Sequence, residues 1–341
     1  MTPVRSNDVA VTSQGLGDGD TFQHRRIQLI GLDLGGTKLH YGTLDSAGVI
    51  VNDIVEPTRA ESEDALFNQL VQAVERLRDD RPELVVALGV PGAVDPLTGA
   101  MELSPNIPIS PGRRLGGALQ AALGGRVVVE NDVNLAALAE TQLGAAKGLG
   151  LVAFLAFGTG VGLGIVANGS LLRGANGRAG EIGYLPFGDD PFAATNAGHF
   201  EDLVGSAAIR ARYGADLPDV KAIFARAKQG DARALAVIEE TAAAAALGLA
   251  GLQALLDPDR IVIGGSIGMQ RQFFDPLRAT AERLLPFPLA LAQAELGPAS
   301  GVLGALALAA EVADLPITGI DHTPLTADRG RFAANGEGAI D

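Results

Sequence analysis

The stretch VVVENDVN, residues 127–134, decides how this chain is read. Three consecutive valines spell a short buried strand. The strand runs directly into Glu130, Asn131 and Asp132, and Leu135, Ala136, Leu138 and Ala139 follow at helical spacing. Asp132 therefore lies at or near a helix start. Polar groups at the carboxyl end of a strand in an α/β protein project into the crevice where ligands bind. Taken alone, the stretch reads first as a plain helix N-cap by Asn131 or Asp132, with no ligand involved.

Working outward, the segments before it alternate between strand and helix patterns. Residues 27–32, 39–44 and 49–55 read as strands, with the pair Gly35-Gly36 as a hairpin between the first two. A P-loop or a dinucleotide fingerprint would place a helix directly after its glycines, and here a strand follows. The turn DLGGTK, residues 33–38, is then either a structural hairpin or a phosphate clip. In the second case glycine backbone N–H groups approach the anion, with Thr37 adding a hydroxyl and Lys38 a charge. Ser62 caps an amphipathic helix whose apolar face carries Leu66, Leu70, Val74 and Leu77. Residues 84–90 form the next strand, which turns sharply at Pro91-Gly92 and sets the Gly92 backbone toward a cleft. Asn106, between prolines in SPNIP, is either a turn residue or a cleft residue. With a short helix over 115–123, the first half reads β-β-β-α-β-α-β-α.

The second half repeats the opening. Residues 151–157 form a strand, GTGVG at 158–162 a glycine turn, and 163–167 another strand. Asn168-Gly169 makes a further hairpin into 170–172. Two copies of apolar strand, Gly/Thr hairpin and apolar strand, about a domain apart, constitute an internal duplication. A Gly-rich insertion fills 174–200. Helices follow over 201–213, 220–228 and 232–256, then a strand at 260–263 ending in Gly264-Gly265-Ser266, and helices over 272–285 and 302–312.

Composition narrows the function. At 341 residues the chain exceeds one average domain, so two lobes are expected. A net charge of −14 argues against a nucleic-acid partner, whose affinity comes from basic residues on phosphates. It does not exclude a nucleotide, which needs only local N–H groups and a metal. With no cysteine, disulfides, thiolate catalysis and Cys-containing zinc sites are excluded. The polar stretch 1–23 lacks the apolar core of a signal peptide. The uncharged run 241–256 is 16 residues, short of the ~20 a membrane span needs. A soluble cytoplasmic protein, with no membrane partner, is expected.

The duplicated unit with a Gly/Thr hairpin in each lobe resembles the actin–hexokinase–Hsp70 superfamily. In detail it resembles the ROK family of sugar kinases and sugar-responsive repressors. The motifs stand in order: DLGGTK at 33–38, VPGAVD at 90–95, SPN at 104–106, ENDVN at 130–134, GTGVG at 158–162, AGEIG at 179–183 and IGGS at 263–266. The resemblance implies an α/β, two-lobed actin-like (ribonuclease H-like) fold with an interlobe cleft. Residues 26–138 with 301–314 would form the small lobe and 139–300 the large one, with disordered tails at 1–25 and 315–341.

It also implies an ATP-dependent hexose kinase, glucose (6-OH) leading, with Mg²⁺. Gly35, Gly36, Thr37 and Lys38 would form the first phosphate loop, and Gly158, Thr159 and Gly160 the second. Gly264 and Gly265 would flank the adenosine, and Asp33 would stand near the Mg²⁺, through water. Asp132 would be the general base. Gly92, Asn106, Asn131, Glu181, Tyr184 and Glu201 would line the sugar site. A homodimer is the assembly the resemblance carries. The chemistry asks for the same parts: charge stabilisation on the phosphates, and one carboxylate beside the nucleophile. Two departures stand out. Tyr184 replaces the family's sugar- and zinc-binding His after EIG, and His199 stands in a Cys position, so no zinc site is expected. The alternative function is a sugar-sensing protein that binds without phosphorylating.

Overall fold

The computed structural model describes residues 27–44, 48–103, 107–188, 190, 192–195, 197–214 and 219–315. Asn106 and the segments 1–25 and 316–341 lie outside them. Leu315, the first residue of the expected C-terminal tail, is buried and donates its N–H to the Ala310 carbonyl at 2.9 Å.

The first half opens with an antiparallel meander of β1 (Ile27–Leu34), β2 (Lys38–Leu44) and β3 (Ile50–Pro57). Next come α1 (Glu63–Leu77), β4 (Glu83–Val90), a small hairpin of β5 (Ala93–Val94) and β6 (Met101–Glu102), and α2 (Leu115–Leu123). β7 (Arg126–Asn131) and α3 (Asp132–Gln142) complete it. The sheet order is β3-β2-β1-β4-β7, with β4 parallel to β1 and β7 parallel to β4.

The second half repeats this design. β8 (Leu151–Phe157), β9 (Val161–Ala167) and β10 (Ser170–Leu171) are antiparallel. The hairpin between the last two has φ of 51° at Asn168 and 80° at Gly169, the left-handed pair that an Asn-Gly turn supplies. Four helices follow: α4 (His199–Val204), α5 (Ser206–Tyr213), α6 (Val220–Lys228) and α7 (Ala232–Leu256). Then come β11 (Arg260–Gly264), α8 (Gly265–Gly268), α9 (Arg271–Leu284), β12 (Leu291–Gln293) and α10 (Ser300–Val312). The order β10-β9-β8-β11-β12, with β11 and β12 parallel to β8 and β11 in turn, matches the first sheet strand for strand.

The structure departs from the sequence expectation in a few local features, while the helix over 232–256 is as expected. The single helix expected over 201–213 is two, broken at Gly205, where the Ser206 N–H turns aside to the Thr159 carbonyl at 3.1 Å. β12 and the β5–β6 hairpin were not foreseen. The run 241–256 belongs to a 25-residue helix, long and apolar enough by composition to cross a membrane. It packs instead along α9, α4, α5 and α6, burying Ala242, Ala245, Ala246, Leu249 and Leu252 on one face.

Because strand side chains alternate between faces, each sheet is covered twice. One face of each sheet looks outward: Ile30, Leu32 and Leu34 meet α1 and α2, and Ala153, Leu155 and Phe157 meet the helices of the second half. The other faces enclose a shared central core. Leu29, Val85 and Ala87 from the first sheet join Val152, Phe154 and Val262 from the second, around α3 and α10. The helices have exchanged places. α3 ends the first half but packs on β8 and β9, while α10 ends the second half and packs on β1 and β4. Missing side chains let them approach: a Cβ on Gly304 would stand 2.0 Å from the Leu135 carbonyl oxygen, and one on Gly164 2.6 Å from the Ala137 Cβ. α3 is thus fixed on both flanks, and its first residue, Asp132, inherits that rigidity.

Candidate active site

Two cavities meet at the start of α3. The larger, about 870 Å³, lies between the lobes and is lined by Gly92, Asn131, Asp132, Gly158, Thr159, Gly160, Glu181, Tyr184 and Glu201 among others. The second, about 620 Å³, is bounded by Asp33, Lys38, Asp132, Gly264 and Gly265, together with Met269, Gln270 and residues 297–301. Asp132 is the one carboxylate on both walls. The predicted residues divide only in part by chemistry. Carboxylates and amides face the larger cavity, but so do Gly158, Thr159 and Gly160, expected at the phosphates; Lys38, Asp33 and a run of small residues face the second, and Gly265 lines both. Gly35, Gly36 and Thr37 form the β1–β2 hairpin, with Gly35 N–H on the Lys38 carbonyl at 2.8 Å.

The N-cap alternative resolves into a division of labour. Asn131 is the cap: its Oδ1 accepts the Asn134 N–H at 3.0 Å, and its Nδ2 donates to the Gly92 carbonyl at 2.9 Å. Asp132 is the first helical residue, and its Oδ1 accepts the adjacent Val133 N–H at 2.9 Å. Burial, then the charge of nearby Asp33, push its carboxyl up to about 7, with the Val133 N–H pulling the other way. A carboxylate tuned near neutrality suits proton acceptance. Burial also raises Asp33, against the pull of His40 and Lys38. A Cβ on Gly301 would stand 2.3 Å from the Asp33 Cγ, so the start of α10 abuts this carboxylate.

Glu130, which the sequence reading left without a role, organises the same corner. It is buried, and its Oε1 accepts the Asn131 N–H at 2.9 Å and the Asn134 amide at 2.8 Å. Its Oε2 accepts Arg173 Nε at 2.5 Å. Arg173 belongs to the second half, so this pair ties the halves beside the larger cavity. Arg178 does the same at the rim, on Glu102 at 2.5 Å.

Glu181 and Glu201 are both raised, each mainly by burial. Glu181 is raised further by Glu201 and lowered by Arg178. Glu201 braces the second glycine hairpin: its Oε2 accepts the Val161 N–H at 2.9 Å, and a Cβ on Gly160 would stand 2.2 Å from that oxygen. Tyr184 closes a 3-10 turn, Ile182–Tyr184, and is half exposed on the cavity wall. His199 opens α4. The sequence reading missed Met269, Gln270, Ser300 and Gly301 in the second cavity. The signal available was GPASG at 297–301, a small-residue run leading into an apolar helix.

Two duplicated lobes, with glycine hairpins and a carboxylate at the junction of two cavities, define the two-lobed actin-like ATPase fold. The family follows from direct comparison. The ROK family model matches residues 29–312, and the chain belongs to this family. It is 32% identical over 311 residues to a glucokinase of Streptomyces coelicolor, covering 83% of this chain and 97% of that one. The crystal structure of a ROK hexokinase from Thermus thermophilus superposes with a TM-score of 0.73 at 33% identity, over 84% of this chain and 99% of that chain. A ROK glucokinase from Streptomyces griseus, solved with glucose and AMPPNP, gives 0.71 at 28% identity, over 83% and 99%.

Proposed function

We propose that this ROK-family sugar kinase transfers the γ-phosphoryl group of ATP to the 6-hydroxyl of a hexose, glucose first, with Asp132 as general base. One observation carries the reading: Asp132, pushed up to about 7, stands on both cavity walls, where an acceptor on one side meets a donor on the other. In this reading the larger cavity takes the sugar. Asn131 and Glu181 accept and donate to its ring hydroxyls, Glu201 adds a carboxylate oxygen, and Gly92 and Tyr184 shape the wall. Asn106 belongs to the same set by sequence. Carboxylates whose protonated form is favoured by burial are eager acceptors of hydroxyl hydrogens, and so suit a polyol. Such a site discriminates strongly against analogues lacking a hydroxyl.

The second cavity takes the nucleotide. The small residues there leave room for a flat base beside Gly264 and Gly265, with Met269 as an apolar wall. Lys38 of the β1–β2 hairpin would reach the phosphates from this cavity, and the hairpin at Gly158, Thr159 and Gly160 would reach them from the larger one. Asp33 fits a magnesium ion held through water, because its carboxylate faces the same cavity as Lys38 and is compensated only in part. The ion would supply charge neutralisation on the β- and γ-oxygens. Asp132 takes the sugar hydroxyl proton as the oxygen attacks. The bodies that close are residues 26–138 with 301–314 and residues 139–300, excluding water that would otherwise hydrolyse ATP. Residue 138 lies inside α3, which would move as one rigid piece during closure. The reading places the enzyme in the cytoplasm, as a homodimer.

ADP release over a panel of hexoses, including N-acetylated ones, tests the assignment. Glucose should give the highest kcat/KM. Turnover on an N-acetylhexosamine alone would replace glucose and keep the kinase. No turnover on any sugar, with one sugar still raising Tm, would instead support a non-catalytic sensor.

A further inference from the structure

Two turns beyond Asp132, α3 buries a second carboxylate that phosphoryl transfer does not use. Glu140 has no exposed surface. Its Oε1 accepts the backbone N–H groups of Glu295 at 3.0 Å and Leu296 at 2.9 Å. Its Oε2 accepts the Ala145 N–H at 2.9 Å, with the Glu295 N–H also at 3.2 Å. All of these donors are main-chain. A Cβ on Gly144 would stand 2.2 Å from Oε2, so the loop after α3 is pressed onto the carboxylate.

Burying a carboxyl group is costly unless its oxygens are fully engaged. A leucine would pack this helix position more cheaply, so the acid marks a task that packing alone does not perform. That task is legible in what the donors belong to. Glu295 and Leu296 sit in the connection from β12 to α10, between Ala294 on one side and Gly297, Pro298, Ser300 and Gly301 on the other. Those five residues line the second cavity. Glu140 thus grips the middle of a cavity wall from inside the helix whose first residue is Asp132. Eight residues of helix separate the two acids, a rigid spacer of about 12 Å.

We infer that Glu140 is a positioning residue for the nucleotide. It holds the wall at 294–301 in fixed relation to Asp132, so that donor and base keep their spacing. The inference rests on ATP occupying the second cavity. A glutamine there would keep the size but turn amide hydrogens toward N–H donors, and an aspartate would keep the charge but fall one methylene short.

The test is calorimetric titration of the full chain with Mg²⁺ and a non-hydrolysable ATP analogue, and separately with glucose. Wild type, Glu140→Gln and Glu140→Asp are compared, with steady-state KM for both substrates. Glu140→Gln should weaken the nucleotide and raise its KM by about tenfold, while glucose affinity stays within about twofold. Glu140→Asp should show the same asymmetry, and it carries the test if the glutamine variant does not fold. Equal losses for both ligands, or no loss for either, overturn the inference. A wild-type chain that binds glucose but no adenine nucleotide removes the ATP reading, and this inference with it. Nucleotide binding that is normal in wild type and in both variants removes the inference alone.

Discussion

α3 and α10 occupy equivalent places in the two halves, each following the last strand of its sheet, and their N-termini meet at the same cavity. They differ in what they present. α3 opens with a carboxylate, Asp132, beneath an Asn131 cap; α10 opens with Ser300-Gly301 and has no side-chain cap. The first brings a carboxyl pushed up to about 7. The second brings space, into which the Asp33 carboxylate fits. A duplicated fold therefore need not duplicate its chemistry. One copy carries a carboxylate at its helix start, and the other is pared back so that neighbouring groups can approach.

The sharpest way to break this comparison is to exchange what the two helix starts offer. Asp132→Ala should lower kcat by about a thousandfold, as loss of a general base does, while calorimetry finds glucose binding nearly unchanged. Ser300→Ala, at the matching place, should leave kcat within about twofold. A parallel loss of sugar binding in Asp132→Ala would recast that residue as structural. Next in size, Gly304→Ala inserts a methyl where the Leu135 carbonyl already stands. Overpacking of this kind costs about 2 kcal/mol, and thermal melts should show Tm lower by roughly 5 °C.

A smaller effect follows from the raised Asp132. The folded protein holds this proton up to about pH 7, against an ordinary value of 3.8, so between those values it binds more protons than the unfolded chain. Stability contributed by the protonated acid is then lost as pH rises through that window. In metal-free protein, Asp132→Asn should raise Tm at pH 8 by a few degrees (about 2–4 °C per kcal/mol relieved), with the gain vanishing toward pH 4. An equal gain at both pH values would dismiss the electrostatic cause. The smallest change expected is at Tyr184, half exposed on the wall of the larger cavity. Tyr184→Phe should raise the KM for glucose by about two- to tenfold, the span of one lost hydrogen bond, and leave kcat unmoved in initial-rate assays.

The parts of the fold visible in the sequence were those written in side-chain pattern. Alternating apolar strands, the Asn168-Gly169 hairpin and the paired Gly/Thr turns all announce backbone geometry through residue type. The division between Asn131 as cap and Asp132 as free carboxylate was not visible, because both residues cap helices well. Glu140 escaped for a deeper reason. Its partners are the N–H groups of Ala145, Glu295 and Leu296, which any residue but proline supplies, so nothing in 295–296 marks the contact. The same holds for Glu201 on Val161 N–H, and for the break at Gly205. β12, only Leu291–Gln293, was too short and too poor in β-branched residues to stand out.

The exchange of α3 and α10 also sets the order in which the molecule can be completed. A ribosome delivers the first sheet early, yet the face bearing Leu29, Val85 and Ala87 is covered by α10, which begins only at Ser300. At about 5–20 residues per second, that apolar face waits on the order of ten seconds before α10 emerges. The N-terminal half is therefore born with an open flank that only the far end of the same chain closes.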